Sequence, residues 1–260
     1  MVAHEKSGTL TRGVVDLGDG PRTVTVYLPP DWLRVRPQAA VYYLHGAGYD
    51  GTTLLGGGVL PETRLKRRVD ALIANNEAPS VMIVLPHYSD ATDPQAAMQS
   101  VAATPEMLRR LTSWAEPTFL CRAGRPHRAV IGFSMGGACV WEALLRANDL
   151  FSRYAPVGSD CWELGYEGGR HNPTGTARAI VEAVGKSHAH ADVHAWCGRD
   201  DPSAPWVARQ VDEMRRLSYG PGALDFTLES RFGHEEPSVN DALIDCLRSF
   251  AEGHTSSAKA

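Results

Sequence analysis

A serine between closely spaced glycines is the residue in this chain most suited to chemistry. The segment VIGFSMGGA has the pattern G-x-S-x-G at Gly132, Ser134 and Gly136. An apolar run precedes it and a helical pattern follows it, the setting in which such a serine lies on a strained strand-to-helix turn. The competing interpretation is a glycine-rich turn with an incidental serine, but the flanking strand and helix favour a nucleophile. The motif therefore predicts that Ser134 attacks a carbonyl carbon.

A serine nucleophile needs a base that takes its proton, and this base is usually a histidine. Chain order around such a turn is nucleophile, then acid, then histidine. The histidines that follow the strand after the nucleophile helix include His171, His188, His190, His194 and His234. Those from 188 to 194 lie at a helix end or within a strand. His234, in RFGHEEPS after the last strand, is the predicted base, the alternative being a capping or surface histidine.

The acid that orients the imidazole should follow the strand before the histidine loop. WCGRDDPSAP offers Asp200 and Asp201 at this place. The pattern G-x-x-D-P favours Asp201 as the acid, and Asp200 would then point to solvent or cap the next helix. Asp160 follows an earlier strand and suits a substrate loop better.

A tetrahedral intermediate needs two N–H donors for its oxyanion. The amide of Met135, directly after the serine, is one predicted donor. The other is the amide of Ala47 in LHGAG, at the end of an earlier strand. His45 in the same segment is expected to brace the loop through hydrogen bonds rather than to act as a second base.

The elements that must position these residues alternate between strand and helix. This alternation predicts one α/β domain over residues 1–260, with a mostly parallel sheet covered on both faces and a frayed tail at 252–260. Two long connections, at 87–104 and 158–173, are expected to be loops beside the site. The predicted strands are 23–29, 39–46, 80–86, 127–133, 152–158, 191–198 and 224–231. The predicted helices are 62–76, 105–121, 135–147, 176–186, 204–217 and 238–251.

Bulk composition excludes several classes of function. The net charge is −4 and the basic residues do not cluster, so no nucleic-acid partner is expected. No apolar stretch reaches the length of a membrane span, and no secretory signal pattern opens the chain. Five cysteines without a C-x-x-C pair indicate free thiols. We therefore expect a cytoplasmic protein.

The sequence predicts neither a metal nor a cofactor. The spacing of His188, His190 and His194 is loosely metal-like, but no carboxylate or cysteine completes a ligand set. The glycines at 56–58 show neither a phosphate-loop nor a dinucleotide pattern. The expected partner is a small ester.

From residue 23 to residue 250 the chain resembles the esterase D, feruloyl esterase and acetylxylan esterase group of α/β-hydrolases, which is carbohydrate esterase family 1. The segments that support the resemblance are IGFSMGGACVWEALLRANDLFSRYAPVGSDCW, YYLHGAG and LIANNEAPSVMIVLP. The resemblance implies an α/β-hydrolase fold, a nucleophile at Ser134, a base at His234 and an acid at Asp201. It also implies oxyanion amides at Ala47 and Met135.

The resemblance further implies a carboxylic ester as substrate, often an acylated sugar or an aromatic acid ester. Intracellular relatives hydrolyse thioesters, siderophore lactones or natural-product esters, and some relatives transfer acyl groups. Alternatives to an esterase are therefore a thioesterase, an acyltransferase or cyclase with the same triad, and a non-catalytic binding module. The intact triad argues against the binding module.

Aromatic and histidine side chains near the strand ends are candidates for the wall of the substrate pocket. Aromatic rings could stack on an acyl ring or a sugar, and the alternative is that they pack beneath the loops. The candidates are Tyr49, His87, Tyr88, Trp162 and Tyr166.

Overall fold

The computed structural model describes residues 7–50, 54–56, 63–91, 93–122, 124–161, 171–220 and 222–256. Its strands form a sheet in the spatial order β1-β2-β4-β3-β5-β6-β7-β8, antiparallel at β1, β2 and β4 and parallel from β4 to β8. The strands are β1 (Thr9–Asp16), β2 (Pro21–Leu28), β3 (Ala39–Leu44), β4 (Val81–Pro86), β5 (Arg128–Phe133), β6 (Arg153–Val157), β7 (Asp192–Gly198) and β8 (Leu224–Glu229). The predicted α/β fold with a mostly parallel sheet is confirmed.

Helices cover both faces of the sheet, and each face has its own apolar core. One core includes Val101, Val140, Ile180 and Val211, from four different helices. The other is built against two helices. The helices are α1 (Arg64–Ala74), α2 (Pro94–Thr118), α3 (Met135–Arg146), α4 (Pro173–Ser187), α5 (Ala204–Arg216) and α6 (Val239–Ser256), with 3₁₀ turns at Arg125–His127 and Glu236–Ser238. Every residue of β3 and β4 is buried, as expected for strands covered on both faces.

Strand β1 is missing from the sequence prediction. It pairs antiparallel with β2 over its whole length, from Thr9 opposite Leu28 to Asp16 opposite Pro21. Its segment TLTRGVVD has a mostly exposed or half-buried pattern, which is typical of an edge strand. Because β1 is only partly buried, its sequence lacks the continuous apolar run by which the central strands are predicted.

Helix α2 corrects the predicted loop at 87–104. The helix begins at Pro94 rather than at Pro105, because the Asp93 carboxylate accepts hydrogen bonds from the amides of Gln95 and Ala96. Proline favours the first helical turn, so Pro105 resembles a helix start, although here it lies inside the helix. The loop after β4 is therefore short.

The two other regions predicted to be irregular have different outcomes. Helix α6 continues to Ser256, so the part of the predicted frayed tail from 252 to 256 is helical. Residues 257–260 lie outside the described residues, as do residues 162–170 of the predicted loop at 158–173.

Candidate active site

The turn between β5 and α3 presents Ser134 at the carboxyl edge of the sheet. Its backbone has φ 55° and ψ −116°, a conformation that is strained for a residue with a side chain. The Ser134 amide donates to the Val157 carbonyl at 2.9 Å, which ties the turn to β6. A Cβ on Gly132 would collide with the backbone of Gly136, and a Cβ on Gly136 would collide with the Leu44 carbonyl. The glycines of the motif are therefore required for the turn to pack.

Three side chains from separate loops form one hydrogen-bonded chain at this edge. His234 Nε2 lies 2.8 Å from Ser134 Oγ, and His234 Nδ1 lies 2.8 Å from Asp201 Oδ2. An ionised carboxylate only accepts hydrogen bonds, so Nδ1 bears the hydrogen and the lone pair of Nε2 faces the serine hydroxyl. This arrangement can remove a proton from Ser134.

Asp201, and not its neighbour Asp200, reaches the histidine. The Asp201 side chain is 1% exposed, and its Oδ1 accepts a 2.7 Å hydrogen bond from the Ser203 amide. Burial acts to raise the pKa of Asp201, whereas the hydrogen bonds with His234 and with Ser203 lower it, and the net pKa lies below the usual aspartate value. Asp200 is exposed. The local geometry thus favours the expected choice between the two neighbours.

Contacts with β3 and with the end of β5 hold the loop that bears His234. The imidazole packs on the Phe133 ring, with centroids 5.0 Å apart. Two residues further along, the Glu236 carboxylate accepts a 2.8 Å hydrogen bond from the Tyr43 hydroxyl of β3. Burial, together with the nearby Glu236 carboxylate, raises the pKa of Tyr43 well above its usual value, so the phenol stays protonated as a donor.

The two predicted oxyanion donors flank the serine. Met135 is the first residue of α3, and an N–H in the first helical turn has no acceptor within the helix. On the other side, the segment of residues 45–48, here called the oxyanion loop, lies against the nucleophile turn. A side chain on Gly46 would lie 3.4 Å from Ser134 Cβ, and the exposed Ala47 follows directly.

His45 is a buried part of the oxyanion loop. Its Nδ1–H donates to the Gly46 carbonyl at 2.8 Å. Its ring stacks on His87 at 5.5 Å and packs against Tyr88 at 4.5 Å. Burial lowers the pKa of His45 from 6.5 to about 4, so the ring is neutral at neutral pH. These contacts fit the expected bracing role.

The predicted pocket-wall residues differ in their surroundings. Tyr49 is 40% exposed and packs edge-on against Phe133 at 6.2 Å. His87 is half-buried, and its Nε2 lies 2.7 Å from Asp90 Oδ1. Trp162 and Tyr166 lie outside the described residues.

Tyr88 is buried more deeply than Tyr49 and His87. The side chain is buried in the core, and its hydroxyl donates to the His45 carbonyl at 2.7 Å. Both its ring and its hydroxyl make contacts within the protein, which favours the alternative that the ring packs beneath the loops, and Tyr88 also lines the cleft described below.

A second aspartate–histidine pair was not anticipated from the sequence. His171 Nδ1 lies 3.0 and 3.2 Å from the two oxygens of the buried Asp160 carboxylate. The His171 ring stacks on Trp206 of α5 at 4.6 Å with planes 4° apart. Asp160 follows β6, and Trp206 lies one turn beyond the Asp201 loop. Only the position of Asp160 and His171 at the two ends of one predicted loop could have suggested the pair.

A cleft of about 580 Å³ lies beyond Tyr88, between the β1–β2 turn and the start of α2. The charged residues in its lining include Asp19, Arg22, Asp90 and Asp93, and acidic side chains predominate among them. Within the described ranges, no cluster of three or more histidine, cysteine or acidic residues has the arrangement of a metal site. The helices described here include none long and apolar enough to cross a membrane.

Comparison with known proteins assigns this chain to a family. A family model described as "Putative esterase" matches residues 17–215. Endo-1,4-beta-xylanase Y of Acetivibrio thermocellus is 26% identical over an alignment of 219 residues that covers 80% of this chain. The chain spans only 19% of the length of that relative.

Solved structures show the same fold. A feruloyl esterase module from Clostridium thermocellum, solved as a serine-to-alanine mutant with sinapinate, has a TM-score of 0.78 at 21% identity, covering 95% of this chain and 89% of the module. A CE1 ferulic acid esterase from Anaeromyces mucronatus with ferulic acid has a TM-score of 0.70 at 16% identity and coverages of 96% and 94%.

An S-formylglutathione hydrolase from Staphylococcus aureus has a TM-score of 0.67 at 16% identity, covering 94% of this chain and 98% of the hydrolase. The fold and the family expected from the sequence are therefore confirmed. The chain therefore belongs to the family described as "Putative esterase", and it has the fold of these solved esterases and hydrolases.

Proposed function

We propose that Ser134, His234 and Asp201 form the catalytic triad of this hydrolase, and that Ala47 and Met135 supply the oxyanion hole. The observation that supports this most directly is the pair of 2.8 Å hydrogen bonds from Asp201 through His234 to Ser134. Ser134 Oγ attacks the ester carbonyl while His234 Nε2 takes its proton. The carbonyl oxygen becomes an oxyanion that accepts hydrogen bonds from the two amides.

Collapse of the tetrahedral intermediate gives the acyl-enzyme. The imidazolium of His234 returns its proton to the leaving alcohol, and the acyl group stays on Ser134. A water molecule then attacks the acyl carbonyl with His234 again as base, and the acid is released. Asp201 holds the imidazole in the productive tautomer throughout and stabilises its charged form.

The substrate is an aromatic, sugar or natural-product ester. Support comes from the sinapinate and ferulic acid complexes of the structural relatives. It also comes from the exposed ring of Tyr49, which packs on Phe133 beside the triad and can stack on an aromatic acyl group.

Thioester hydrolysis is the second candidate, because the chain resembles an S-formylglutathione hydrolase. Acyl transfer to an alcohol or amine would use the same acyl-enzyme. An acceptor-dependent change in the product ratio would separate it from hydrolysis.

A small substrate panel tests the substrate class. The enzyme should be assayed with methyl ferulate, an acetylated sugar, an aryl lactone, p-nitrophenyl acetate and S-formylglutathione. We expect kcat/KM for methyl ferulate or the acetylated sugar to exceed that for the thioester by more than about tenfold, because pocket contacts discriminate on this scale. A preference for S-formylglutathione would replace the ester proposal with the thioester one.

The acid is tested by a matched pair of neighbouring variants. Asp201→Asn should lower kcat by several orders of magnitude, about 10⁴-fold where such a change has been made in a serine protease, because the amide favours the wrong imidazole tautomer. Asp200→Asn changes the same chemical group on an exposed side chain and should alter kcat by less than about threefold. Steady-state kinetics on p-nitrophenyl acetate give both values, and the reverse order would assign the acid to Asp200.

The cysteines support the expected cytoplasmic location. All five are free thiols, and four of them are buried. Burial raises the pKa of Cys139 to about 11, so this thiol is unreactive and behaves as a small apolar side chain. Free thiols are typical of proteins in a reducing compartment.

A further inference from the structure

We propose that Tyr88 is a positioning residue for the oxyanion hole, acting through the main chain of the oxyanion loop. This inference rests on the proposed function, since it assigns a role to the amide of Ala47 that stabilises the oxyanion. Tyr88 itself does not touch the reacting atoms. Its contribution is to set the orientation of the loop before the substrate binds.

Side-chain donors hold two consecutive carbonyls of the oxyanion loop. The Tyr88 hydroxyl donates to the His45 carbonyl at 2.7 Å, and His45 Nδ1–H donates to the Gly46 carbonyl at 2.8 Å. The Tyr49 amide also donates to the Gly46 carbonyl, at 3.2 Å. A peptide unit is planar and trans, so the Gly46 carbonyl and the Ala47 N–H point in opposite directions. Fixing this carbonyl therefore fixes the direction of the Ala47 donor.

Tyr88 connects the loop to the helix that supplies the other donor. Its hydroxyl lies 3.7 Å from the Sγ atom of Cys139, a fully buried residue of α3. Helix α3 begins at Met135, whose amide is the second oxyanion donor. One phenol thus bridges the two elements whose N–H groups must converge on a single oxygen atom.

The ring of Tyr88 also keeps His45 in place. The two rings pack at 4.5 Å, and the other neighbour of His45, His87, stacks at 5.5 Å. His87 is in turn held by Asp90, which accepts a 2.7 Å hydrogen bond from Arg22. Because the rings on both sides of His45 are held, its Nδ1–H stays aimed at the Gly46 carbonyl.

Removal of one oxygen atom isolates this role. Tyr88→Phe deletes the hydroxyl and keeps the ring that packs on His45. A misdirected donor loses transition-state stabilisation and leaves ground-state binding intact, so kcat for p-nitrophenyl acetate should fall by about 10- to 100-fold with KM within about threefold. The inhibition constant of a boronic acid, whose adduct on Ser134 mimics the tetrahedral intermediate, should rise by a similar factor.

Tyr154→Phe is the matched control. Tyr154 is also buried, and its hydroxyl likewise donates to a main-chain carbonyl, that of Phe151 at 3.1 Å. It lies near the amino-terminal end of β6, whereas Ser134 lies at the carboxyl-terminal ends of the parallel strands. Both variants should lose similar thermal stability, but only Tyr88→Phe should lose kcat. If kcat of Tyr88→Phe stays within about twofold of the control, or if only KM rises as for a pocket wall, the proposal is overturned.

If Tyr88→Phe fails to fold, a second pair of variants at His45 tests whether the held carbonyl contributes to kcat. In His45→Asn the side-chain amide can take the place of Nδ1–H, whereas His45→Leu removes the donor. Asparagine should retain more than about tenfold higher kcat than leucine if the held carbonyl matters, and equal values would contradict it. Ser134→Ala, run in parallel, keeps the outcomes distinct, because its full activity would refute the triad itself and not merely the role of Tyr88.

Discussion

Replacing Ser134 with alanine should leave the protein folded and lower kcat by about 10⁶-fold, the size of loss seen when the nucleophile of a serine protease is removed. Without Oγ no acyl-enzyme can form, and the remaining rate over water comes from substrate binding and the oxyanion hole alone. Kinetics on p-nitrophenyl acetate measure the loss. When the wild-type enzyme is labelled with a fluorophosphonate, peptide mass spectrometry should find the adduct on Ser134.

Ser159→Ala provides the control for this experiment. Ser159 is a buried serine beside the nucleophile helix, close enough that a side chain on Gly137 would contact its Cβ at 3.1 Å. Its hydroxyl donates to the Asp160 carbonyl at 2.9 Å and faces no base. This variant should stay labelled and active. Labelling at a serine other than 134, or activity of Ser134→Ala within about tenfold of the wild type, would refute the nucleophile.

The second large effect concerns His234 and pH. The imidazole accepts the Ser134 proton only when Nε2 is unprotonated, so kcat/KM should rise with pH through a single ionisation. Activity is therefore absent on the acid side of the midpoint and full on the alkaline side. His234→Ala should remove this limb together with nearly all activity, by a factor comparable to loss of the nucleophile.

His171→Ala is the matched histidine control. His171 also pairs with a buried aspartate, Asp160, but its ring stacks on Trp206 and not against the serine. The variant should keep the pH limb and change mainly KM. The mechanism would be refuted if kcat/KM fell as the pH rose from about 5 to 8. It would also be refuted if the rise of kcat/KM with pH persisted in His234→Ala.

The residues proposed for catalysis are those with the strongest local signals. Ser134 stands in a motif whose glycines are imposed by backbone contacts with Gly136 and Leu44, and such contacts leave a pattern in the sequence itself. His234 and Asp201 follow consecutive parallel strands, so their order along the chain is enough to bring them to one edge. Period and order are therefore sufficient to predict strands β2 to β8 and to propose these three residues, whereas they miss the edge strand β1.

What could not be predicted depends on contacts between distant segments. Tyr88 has the same residue type and loop position as a pocket wall, and only the 2.7 Å contact with the His45 carbonyl shows that it faces inward. Likewise, the Asp160–His171 pair is completed by Trp206, from another element. The start of α2 depends on the cap at Asp93, whereas the local pattern favours a start at Pro105, twelve residues later. In each case a tertiary or capping contact outweighs the local pattern.

The hydrogen bond between His234 and Ser134 joins residues 100 positions apart along the chain. Closing a loop of this length costs conformational entropy, and β6, β7 and β8 must take their places in the sheet before the two side chains meet. The nucleophile turn, by contrast, consists of neighbours in sequence and needs mainly β3 and β6 to pack against. Catalytic competence is consequently among the last properties the polypeptide acquires as it folds. In a refolding experiment, the recovery of enzymatic turnover should therefore follow completion of the sheet, whereas the recovery of secondary structure should follow the first steps of folding.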